Sequence, residues 1–460
     1  MTAPFPIPSG RLEERFEEKS PLYQEAEAVA EANRCLYCVD APCVKACPTS
    51  IDIPGFIRKI GTGNVRGSAR TILTANLLGQ SCGQVCPVEV LCAGSCVYTT
   101  WGREPIRIGK LQRYAVEAAL AKDGPPLLPR KPPTGRRVAC VGAGPASLAV
   151  AGYLALEGHR VEIFDRKPLP GGLNTLGVAP YKMKADQSLH EIQWILSLGD
   201  VALRAGVAVV TEPKGEGEIA ARALLAEYDA VFLGLGLGDD SRLGIPGEQG
   251  AGVAGAVDFI ERLKVEPGLA LSGVQRAAVI GGGNTALDVA HELALLGVDV
   301  ALVYRRSRAE MAGYAHELEG ARVDGAHLVE NRIPLEILRE GGRVTGLKVA
   351  RAEGGKALPH LEARAEEILP VDLVVVAIGQ SRATQVALAF DGVALDAKGR
   401  VVIDPATGRT GHSKVWSGGD CVNGGDLVVT AVADGKRAAR SIHAAIHATP
   451  ERPAERQAEG

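Results

Sequence analysis

Short apolar runs alternate with longer amphipathic stretches along most of the chain after residue 135. An apolar run at 137–141 is followed by a glycine-rich turn and a helical pattern at 142–156, and then by a second apolar run at 160–165. The same order returns at 277–280, 281–296 and 299–304. Short apolar runs predict buried parallel strands, and the stretches between them predict crossover helices. We therefore expect two α/β units with parallel sheets.

The chain before residue 135 shows a helical pattern instead. Helices are predicted at 22–34, 53–60, 69–77 and 108–121. A proline-rich stretch at 123–134 predicts a linker. Further on, short strands at 230–233 and 373–377 each run into a glycine segment, and a strand at 415–417 precedes a helix at 428–445. The polar tail at 449–460 is expected to be disordered.

Composition narrows the class of protein. The 460 residues carry a formal net charge of −3, which does not fit a nucleic-acid-binding protein. No uninterrupted apolar run reaches 18 residues and the first 20 residues lack an apolar signal segment, so we expect no membrane span and a cytoplasmic location. Glycine is abundant, with 56 residues, and aromatic residues make up only 4%. This balance is typical of nucleotide-binding α/β domains with tight turns.

The first glycine-rich turn has the form of a dinucleotide fingerprint. Gly142-Ala143-Gly144-Pro145-Ala146-Ser147 follows a predicted strand and opens a predicted helix. Gly142 permits the tight turn, and Gly144 lets the backbone approach a pyrophosphate at the helix N-terminus. Asp165, 23 residues after Gly142, is placed to bind a ribose hydroxyl. The alternative is an ordinary turn between a strand and a helix.

A second fingerprint, Gly281-Gly282-Gly283-Asn284-Thr285-Ala286, lacks the acidic residue. The next predicted strand ends in Arg305-Arg306. Arginine accommodates a 2′-phosphate that an acid would repel, so NADPH is expected, with NADH as the alternative. The alternative is that the two arginines form a solvated surface patch and bind no cofactor. Asn284 and Thr285 are expected to contact the cofactor.

Two dinucleotide fingerprints followed by Gly418-Gly419-Asp420 resemble the two-dinucleotide-binding flavoproteins over residues 135 to about 446. The resemblance implies that the first site holds FAD and the second NAD(P)H. It implies that Asp420 binds FAD and that the Gly171-Gly172-Leu173 turn lies beside its isoalloxazine. Other candidate cofactor-binding residues are Gly236, Gly379 and Thr430. Many members reduce disulfides with a cysteine pair, but Cys140 and Cys421 stand alone here.

Eight of the ten cysteines lie between Cys35 and Cys96. The first run is Cys35-x2-Cys38-x4-Cys43-x3-Cys47-Pro48, and the second is Cys82-x3-Cys86-Pro87 followed by Cys92 and Cys96. Cysteine-proline pairs of this kind are typical of ferredoxin-like modules with interleaved clusters. Zinc is the alternative, although zinc modules normally repeat C-x2-C or add histidines. We therefore predict two [4Fe–4S] clusters, for which spacing alone would assign all eight cysteines as ligands.

The whole cysteine pattern resembles the NAD(P)H-oxidising half of dihydropyrimidine dehydrogenases, with the glutamate synthase small subunit as a close relative. The five residues between Cys86 and Cys92 favour the pyrimidine enzyme. The resemblance implies that Cys35, Cys38, Cys43 and Cys96 bind one cluster. It implies that Cys47, Cys86, Cys92 and Gln112 bind the other. Cys82 would then bind no iron, which conflicts with the count of eight cysteines.

The expected fold is therefore an α-helical iron–sulfur domain at 1–134 followed by two Rossmann-like domains. The FAD-binding domain is expected at 135–243 and 372–448, with the NAD(P)H-binding domain inserted at 244–371. The resemblance implies hydride transfer from NAD(P)H to FAD and single-electron transfer through the clusters. The implied partner is an FMN-containing iron–sulfur subunit that reduces uracil or thymine. A glutamate synthase small subunit, a ferredoxin–NADP oxidoreductase relative, or a zinc-stabilised adaptor without enzymatic activity remain alternatives. No catalytic side chain is assigned.

Overall fold

The computed structural model describes residues 5–122, 124–269, 271–357 and 366–447, so the predicted tail at 449–460 lies outside the described residues. The chain divides into two compact units. Unit 1 holds the described residues of Met1–Pro21, Leu173–Leu189 and Leu237–Arg382. Unit 2 holds those of Leu22–Gly172, His190–Gly236 and Ala383–Gly460. Among the described residues, no helix combines the length and apolar character needed to cross a bilayer.

Helices dominate the chain up to residue 122. They are α1 Glu25–Asn33, α2 Pro42–Lys45, α3 Ile53–Gly61, α4 Val65–Ala75, α5 Gly79–Val85, α6 Val97–Thr100 and α7 Ile108–Leu120, after a short 3₁₀ turn at Leu12–Arg15. Side-chain caps fix two of the starts: Asp52 accepts a hydrogen bond from Gly55 N at 3.0 Å, and Asn64 accepts one from Gly67 N at 2.9 Å. The Asn64 cap explains why α4 begins four residues before the predicted position.

The central part of the chain alternates strands and helices. Its elements are β1 Arg137–Val141, α8 Pro145–Leu156, β2 Arg160–Asp165, α9 Leu173–Leu176, α10 Ala185–Leu196, β3 Val201–Ala205, β4 Ala208–Val210, β5 Glu218–Ala220, α11 Ala221–Glu227 and β6 Ala230–Leu233. The next elements are β7 Val253–Gly255, α12 Ala256–Val265, β8 Arg276–Ile280, α13 Asn284–Leu295, β9 Asp299–Val303, a 3₁₀ turn at Arg308–Glu310, α14 Ala315–Val323 and β10 Ala326–Val329.

The last part of the chain adds an antiparallel meander and supplies an edge strand of the first parallel sheet. Its elements are β11 Arg332–Glu340, β12 Arg343–Glu353, β13 Lys356–Ala357, β14 Glu366–Leu369, β15 Leu373–Val376, α15 Thr384–Leu388, β16 Val415–Ser417, α16 Asp420–Asn423 and α17 Val428–His447.

Unit 2 contains a parallel sheet in the order β16-β6-β1-β2-β3. Its central strands are buried on both faces, as a parallel sheet requires. Helices α8 and α17 pack against each other beside it. A Cβ added at Gly435 would lie 2.3 Å from Ala146 O, so this close helix contact requires glycine. The C-terminal helix is therefore fixed against the helix that opens after the first fingerprint.

Unit 1 contains the second parallel sheet, in the order β10-β9-β8-β15-β7. Strand β15 pairs with β8, Val375 opposite Val279. Strand β15 therefore completes the second sheet, and unit 1 continues to Arg382, beyond the domain boundary predicted at 372. An antiparallel sheet of β11, β12 and β14 packs beside it through apolar residues such as Leu347. No pattern in the sequence predicted this meander.

Candidate functional site

The first fingerprint forms a tight loop at the C-terminal end of β1. Gly142 has φ +92°, and a Cβ there would lie 2.3 Å from Gly234 O. Gly144 is the N-cap of α8, and Pro145 is the first residue of the helix. A Cβ added at Gly144 would meet no atom within 4 Å. The helix N-terminus thus opens onto free space that a pyrophosphate fits.

Asp165 lies at the end of β2, beside this loop. Its Oδ2 accepts a hydrogen bond from Ala143 N at 2.6 Å, and its Oδ1 accepts one from Lys167 N at 2.7 Å. Burial raises the pKa of Asp165, and the two hydrogen bonds oppose that shift. The carboxylate is therefore held rigidly at the strand end where a ribose hydroxyl is expected.

Two further glycine segments, Gly171-Gly172 and Gly236, complete the predicted FAD cradle within unit 2. Gly171 N donates to Ala143 O at 2.9 Å, and a Cβ on Gly172 would lie 3.2 Å from Gly144 Cα. Gly236, after β6, has φ +64° and open space around it. The cradle depends on the absence of side chains, because a Cβ at several of these positions would fill it or meet its walls. The residues present therefore fit a dinucleotide such as FAD.

Asp420 begins the short helix α16 at the same edge of the sheet. Its N-cap, Gly419, has φ +75° and donates its N–H to Asp434 Oδ2 at 3.0 Å. Asp434 lies on α17, one turn after the predicted Thr430. The structure therefore brings Asp420 and Thr430 to the edge that carries Gly142. Leu173, the last residue of the predicted flavin turn, begins α9. Sequence reasoning missed Asp434, which has no motif of its own.

The second fingerprint has the same geometry in unit 1. Gly281 has φ +153°, and a Cβ there would lie 2.3 Å from Ala377 O. Gly283 caps α13 and faces open space. Asn284 Oδ1 accepts a hydrogen bond from Tyr314 N at 2.9 Å, which fixes the loop at Gly313–Tyr314 over the turn. Thr285 is exposed and Ala286 is buried. This loop also fits a pyrophosphate.

Arg305 and Arg306 follow one residue after the end of β9, which pairs with β8, the strand that ends just before Gly281. Arg305 is exposed and Arg306 is half-buried, and Arg306 interacts electrostatically with Glu310. Gly379, with φ +114°, follows β15 and leaves open space. The roles of these residues in binding a 2′-phosphate and the cofactor stay predictions.

Four cysteines, here called cysteine group A, line one apolar cavity: Cys35, Cys38, Cys43 and Cys96. Burial raises the pKa of Cys43 to about 11, and the neighbouring sulfurs of Cys35 and Cys96 add to the shift. Burial likewise raises the pKa of Cys35, while a hydrogen bond from the Tyr37 amide opposes it. Tyr37 adopts φ +51°, an unusual conformation that points its N–H at the sulfur. Such N–H···S bonds stabilise cluster thiolates.

The other four cysteines, here called cysteine group B, are Cys47, Cys82, Cys86 and Cys92. A hydrogen bond shared with Cys82, burial, and the neighbouring sulfurs of Cys82, Cys92 and Cys47 raise the pKa of Cys86 well above its usual range. Burial and then Cys47 raise the pKa of Cys92 to about 12, and an amide bond from Ala93 opposes the shift. Crowded thiols of this kind release protons when a metal centre binds.

The spacing of the sulfurs fits a cluster better than one zinc ion. A tetrahedral zinc site has Zn–S bonds of about 2.3 Å, so its sulfurs lie about 4 Å apart. Within the described parts of the chain, the one group of three or more potential ligand atoms mutually within 4.8 Å is made of histidines. Among the described residues, no three cysteine sulfurs therefore lie as close together as the sulfurs of one zinc site.

Gln112, the predicted non-cysteine ligand, is buried on α7 against α5. Its Nε2 donates to Gly79 O at 2.7 Å, at the start of α5, which carries Cys82 and has Cys86 as its C-cap. The side chain is therefore oriented next to cysteine group B. Cys82 lies in the same group, hydrogen-bonded to Cys86. The structure places Gln112 against the start of α5 and Cys82 beside Cys86, and the choice between them as an iron ligand stays a prediction.

Glu191 is a buried carboxylate that sequence reasoning missed. Gln80 N donates to its Oε1 at 2.6 Å, and Ser81 N donates to its Oε2 at 3.1 Å. These bonds satisfy the free amides at the start of α5. Burial raises the pKa of Glu191 to about 7. No local signal marks a residue that lies about 110 positions away from the helix it caps.

Two protein-family models match the chain. Residues 12–124 match the model described as dihydropyrimidine dehydrogenase domain II, 4Fe-4S cluster. Residues 136–435 match the model described as pyridine nucleotide-disulphide oxidoreductase. These matches confirm the predicted fold class, a helical 4Fe-4S domain followed by dinucleotide-binding domains.

Similar proteins of comparable length carry different names. The glutamate synthase [NADPH] small chain of Halomonas elongata is 33% identical over 455 residues, covering 95% of this chain and 94% of that protein. The NAD-dependent dihydropyrimidine dehydrogenase subunit PreT of Escherichia coli is 32% identical over 430 residues, covering 93% and 96%. The solved thioredoxin reductase of T. acidophilum superposes with a TM-score of 0.53 at 22% identity, over 67% of this chain and 98% of that one. This last likeness concerns the fold alone.

Proposed function

The chain belongs to the pyridine nucleotide-disulphide oxidoreductase family, as an electron-transfer flavoprotein with a 4Fe-4S domain, and we propose that it is the NAD(P)H-oxidising subunit of a dihydropyrimidine dehydrogenase. In this proposal the chain binds NADPH, FAD and two [4Fe–4S] clusters. Its partner is an FMN-containing iron–sulfur subunit that reduces uracil or thymine to the 5,6-dihydro form.

One structural relationship supports the electron-transfer role most strongly. Within unit 2, cysteine group B adjoins the two helices that border the FAD cradle. Tyr153 on α8 interacts electrostatically with Cys82, and Lys436 on α17 with Cys47. Lys436 Nζ also donates to Ala75 O at 2.9 Å, which fixes α17 to the helical domain. The second cluster is therefore expected next to the flavin.

Cysteine group A adjoins cysteine group B. Cys92 of group B interacts electrostatically with Cys43 of group A. Around group A the surface carries exposed apolar side chains: Leu36, Trp101 and Val39, the last 97% exposed. We infer that electrons leave the chain here, because the partner must approach the outer cluster and this surface offers apolar contacts.

The protein's own residues bind and position the cofactors in this proposal. When bound, the flavin supplies conversion of a hydride into single electrons, and the clusters supply one-electron carriers. The N-termini of α8 and α13 stabilise pyrophosphate charge, and Gly144 and Gly283 leave room for it. The amides of Tyr37 and Ala93 stabilise cysteine thiolates. Hydride transfer depends on alignment rather than on an acid or base, so no side chain needs a catalytic role.

Glutamate synthase supplies the second candidate function, since the Halomonas relative is as similar as the pyrimidine relative. The five residues between Cys86 and Cys92, and Gln112 beside group B, favour the pyrimidine role. A role like that of a ferredoxin–NADP oxidoreductase would need neither partner. The two subunit roles differ in the partner and in the final acceptor.

The decisive experiment is co-purification of the tagged holoprotein from its host, with identification of the bound partner. The proposal predicts that the subunit alone reduces dyes with NADPH but not uracil, and that adding the partner gives uracil-dependent NADPH oxidation. Oxidation that instead requires 2-oxoglutarate and glutamine would assign the chain to glutamate synthase. A Val39→Asp variant should keep dye reduction and lose partner-dependent turnover, with Val323→Asp as the control at an exposed valine of unit 1.

A further inference from the structure

Three histidines meet at the end of unit 2 that lies away from the FAD cradle. His159 immediately precedes β2, and His443 and His447 lie one turn apart on α17. One ring nitrogen of each lies within 4.8 Å of those of the other two. The ring centroids are 4.4 to 5.7 Å apart. His159 is buried, His443 is half-buried and His447 is exposed. The trio is therefore reachable from solvent on one side.

The two inner imidazoles are oriented by further polar groups. His159 Nδ1 lies 2.6 Å from Thr134 Oγ1, and its Nε2 lies 2.8 Å from His443 Nδ1. The opposite nitrogen of His443, Nε2, lies 3.5 Å from Glu157 Oε2. Glu157 is also paired with Lys131. A histidine whose second nitrogen donates to a hydroxyl or carboxylate is the usual arrangement of a metal ligand.

Thr134 can support the tautomer that metal binding requires. Its hydroxyl lies 3.4 Å from Gly158 O and accepts a hydrogen bond from Arg136 N at 3.3 Å. When the hydroxyl donates to that carbonyl, its oxygen accepts a hydrogen bond from the N–H at Nδ1 of His159. The lone pair of His159 Nε2 then faces the other two rings. Without an ion, His159 Nε2 and His443 Nδ1 share a single proton between two nitrogens.

We propose that His159, His443 and His447 form a binding site for one divalent transition metal ion, most suitably Zn²⁺. His159 Nε2, His443 Nδ1 and a nitrogen of His447 supply three ligands. The fourth position is open to water. Zinc accepts three imidazoles at about 2.0–2.1 Å, and this places ligand nitrogens slightly over 3 Å apart. The inner pair is already near that spacing, and the exposed His447 side chain needs only a small movement to join it.

The site would act as a clamp at the far end of α17. Strands β1 and β2 are parallel, so His159 at the start of β2 and Gly142 at the end of β1 lie at opposite edges of the sheet. Helix α17 runs between these two edges. In its first half, Asp434 accepts a hydrogen bond from Gly419 N beside the FAD cradle, and His447 is the last residue of the helix. An ion would fix the end of this helix to the sheet without touching the flavin. The inference does not rest on the proposed function.

The test is zinc binding to the purified, cluster-loaded holoprotein. After dialysis against zinc, we expect one zinc ion retained per chain, nitrogen ligands at about 2.0–2.1 Å in zinc-edge X-ray absorption, and an increase in melting temperature. His443→Ala and His447→Ala should each bind zinc at least tenfold more weakly and lose the thermal shift. Glu157→Gln should weaken binding by about 10–100-fold, as loss of an outer-shell partner does.

The control is His190→Ala, which removes an exposed histidine of unit 2 and should change none of these readouts. Dye reduction by every variant, measured without zinc, verifies that the fold and cofactors are intact. Equal zinc retention by wild type and the His443→Ala and His447→Ala variants would overturn the proposal. So would sulfur ligands near 2.3 Å, which would mean that zinc had replaced cluster iron, or failure of the wild-type protein to retain zinc at all.

Discussion

Glu191 accepts hydrogen bonds from Ser81 through both the backbone nitrogen, at 3.1 Å, and the side-chain hydroxyl. Ser81 directly precedes Cys82 in α5, and Cys86, the C-cap of this helix, follows one turn later. A buried carboxylate from α10 thus fixes the start of the helix that presents two sulfurs of cysteine group B. This relationship links the dinucleotide-binding part of unit 2 to the cluster module.

The burial of Glu191 predicts a pH-dependent stability. Burial raises its pKa to about 7 in the folded protein, from about 4.5 in the unfolded chain. The folded state therefore binds the proton more tightly, and this contribution to stability is lost as pH rises from about 4.5 to 7. Glu191→Gln mimics the protonated carboxyl and removes the titration.

We expect the melting temperature of Glu191→Gln to match that of wild type near pH 5 and to exceed it at pH 8. The full effect corresponds to about 3 kcal/mol, at ~1.4 kcal/mol for each unit of pKa shift. Glu191→Ala should be less stable than Glu191→Gln at both pH values, because the amides of α5 lose their acceptor. A constant difference between wild type and Glu191→Gln across this range would show that Glu191 does not titrate there.

Two glycines of the first fingerprint should respond differently to alanine. At Gly144 an added Cβ meets no protein atom and the backbone φ is −74°, so Gly144→Ala should fold normally and lose FAD. At Gly142, with φ +92°, the Cβ would lie 2.3 Å from Gly234 O, so Gly142→Ala should destabilise the fold itself. Flavin absorbance and melting temperature separate the two effects. If the Gly144→Ala protein kept its full flavin content, this would contradict the prediction that FAD binds against Gly144.

The sequence predicted those parts of the fold that local patterns determine. Strands β1, β2 and β6 have the predicted bounds, because a short apolar run between glycine or charged residues defines a buried strand. The pairing of β15 with β8, nearly 100 residues away, has no local signal. The ion pair between Glu13 and Lys264 likewise has no local signal. Glu13 Oε1 and Lys264 Nζ lie 3.6 Å apart in the core of unit 1. Burial there lowers the pKa of Lys264 to about 8.

The functional site likewise contains some residues that local sequence patterns mark and others that only tertiary packing brings together. The glycine turns were found because a positive φ or close backbone approach demands glycine at Gly142 and Gly281. The cysteines were found by spacing. Glu191 and the histidine trio were not, because each depends on residues brought together by tertiary packing. Sequence patterns thus located the cofactor sites but not the groups that support them.

Cys82 and Gln112 provide the sharpest test of the ligand set. We predict that Cys82→Ser retains the iron content of wild type, because serine can keep a hydrogen bond to the Cys86 sulfur. Gln112→Ala should lose or perturb one cluster while FAD remains bound. Iron analysis and low-temperature EPR of the reduced proteins measure this. Loss of a cluster in Cys82→Ser, with Gln112→Ala unchanged, would make Cys82 the fourth ligand of group B.

Arg305 should determine the preference between NADPH and NADH. A charge-assisted contact to the 2′-phosphate contributes about 1.5–3 kcal/mol, so Arg305→Ala should lower kcat/KM for NADPH by roughly ten- to a hundredfold and leave NADH nearly unchanged. Arg343→Ala, at an exposed arginine of β12, is the matched control. A wild-type preference for NADH that Arg305→Ala does not alter would identify the two arginines as surface residues.

Anaerobic NADPH reduction followed by low-temperature EPR tests the central claim, that electrons pass from the pyridine nucleotide through the flavin to cysteine-bound clusters. We expect NADPH to bleach the flavin of wild type and to produce reduced-cluster signals. In Gly144→Ala, dithionite should give those signals and NADPH should not. A wild-type protein in which the flavin is reduced but no cluster signal appears, with zinc found in place of iron, would contradict the account.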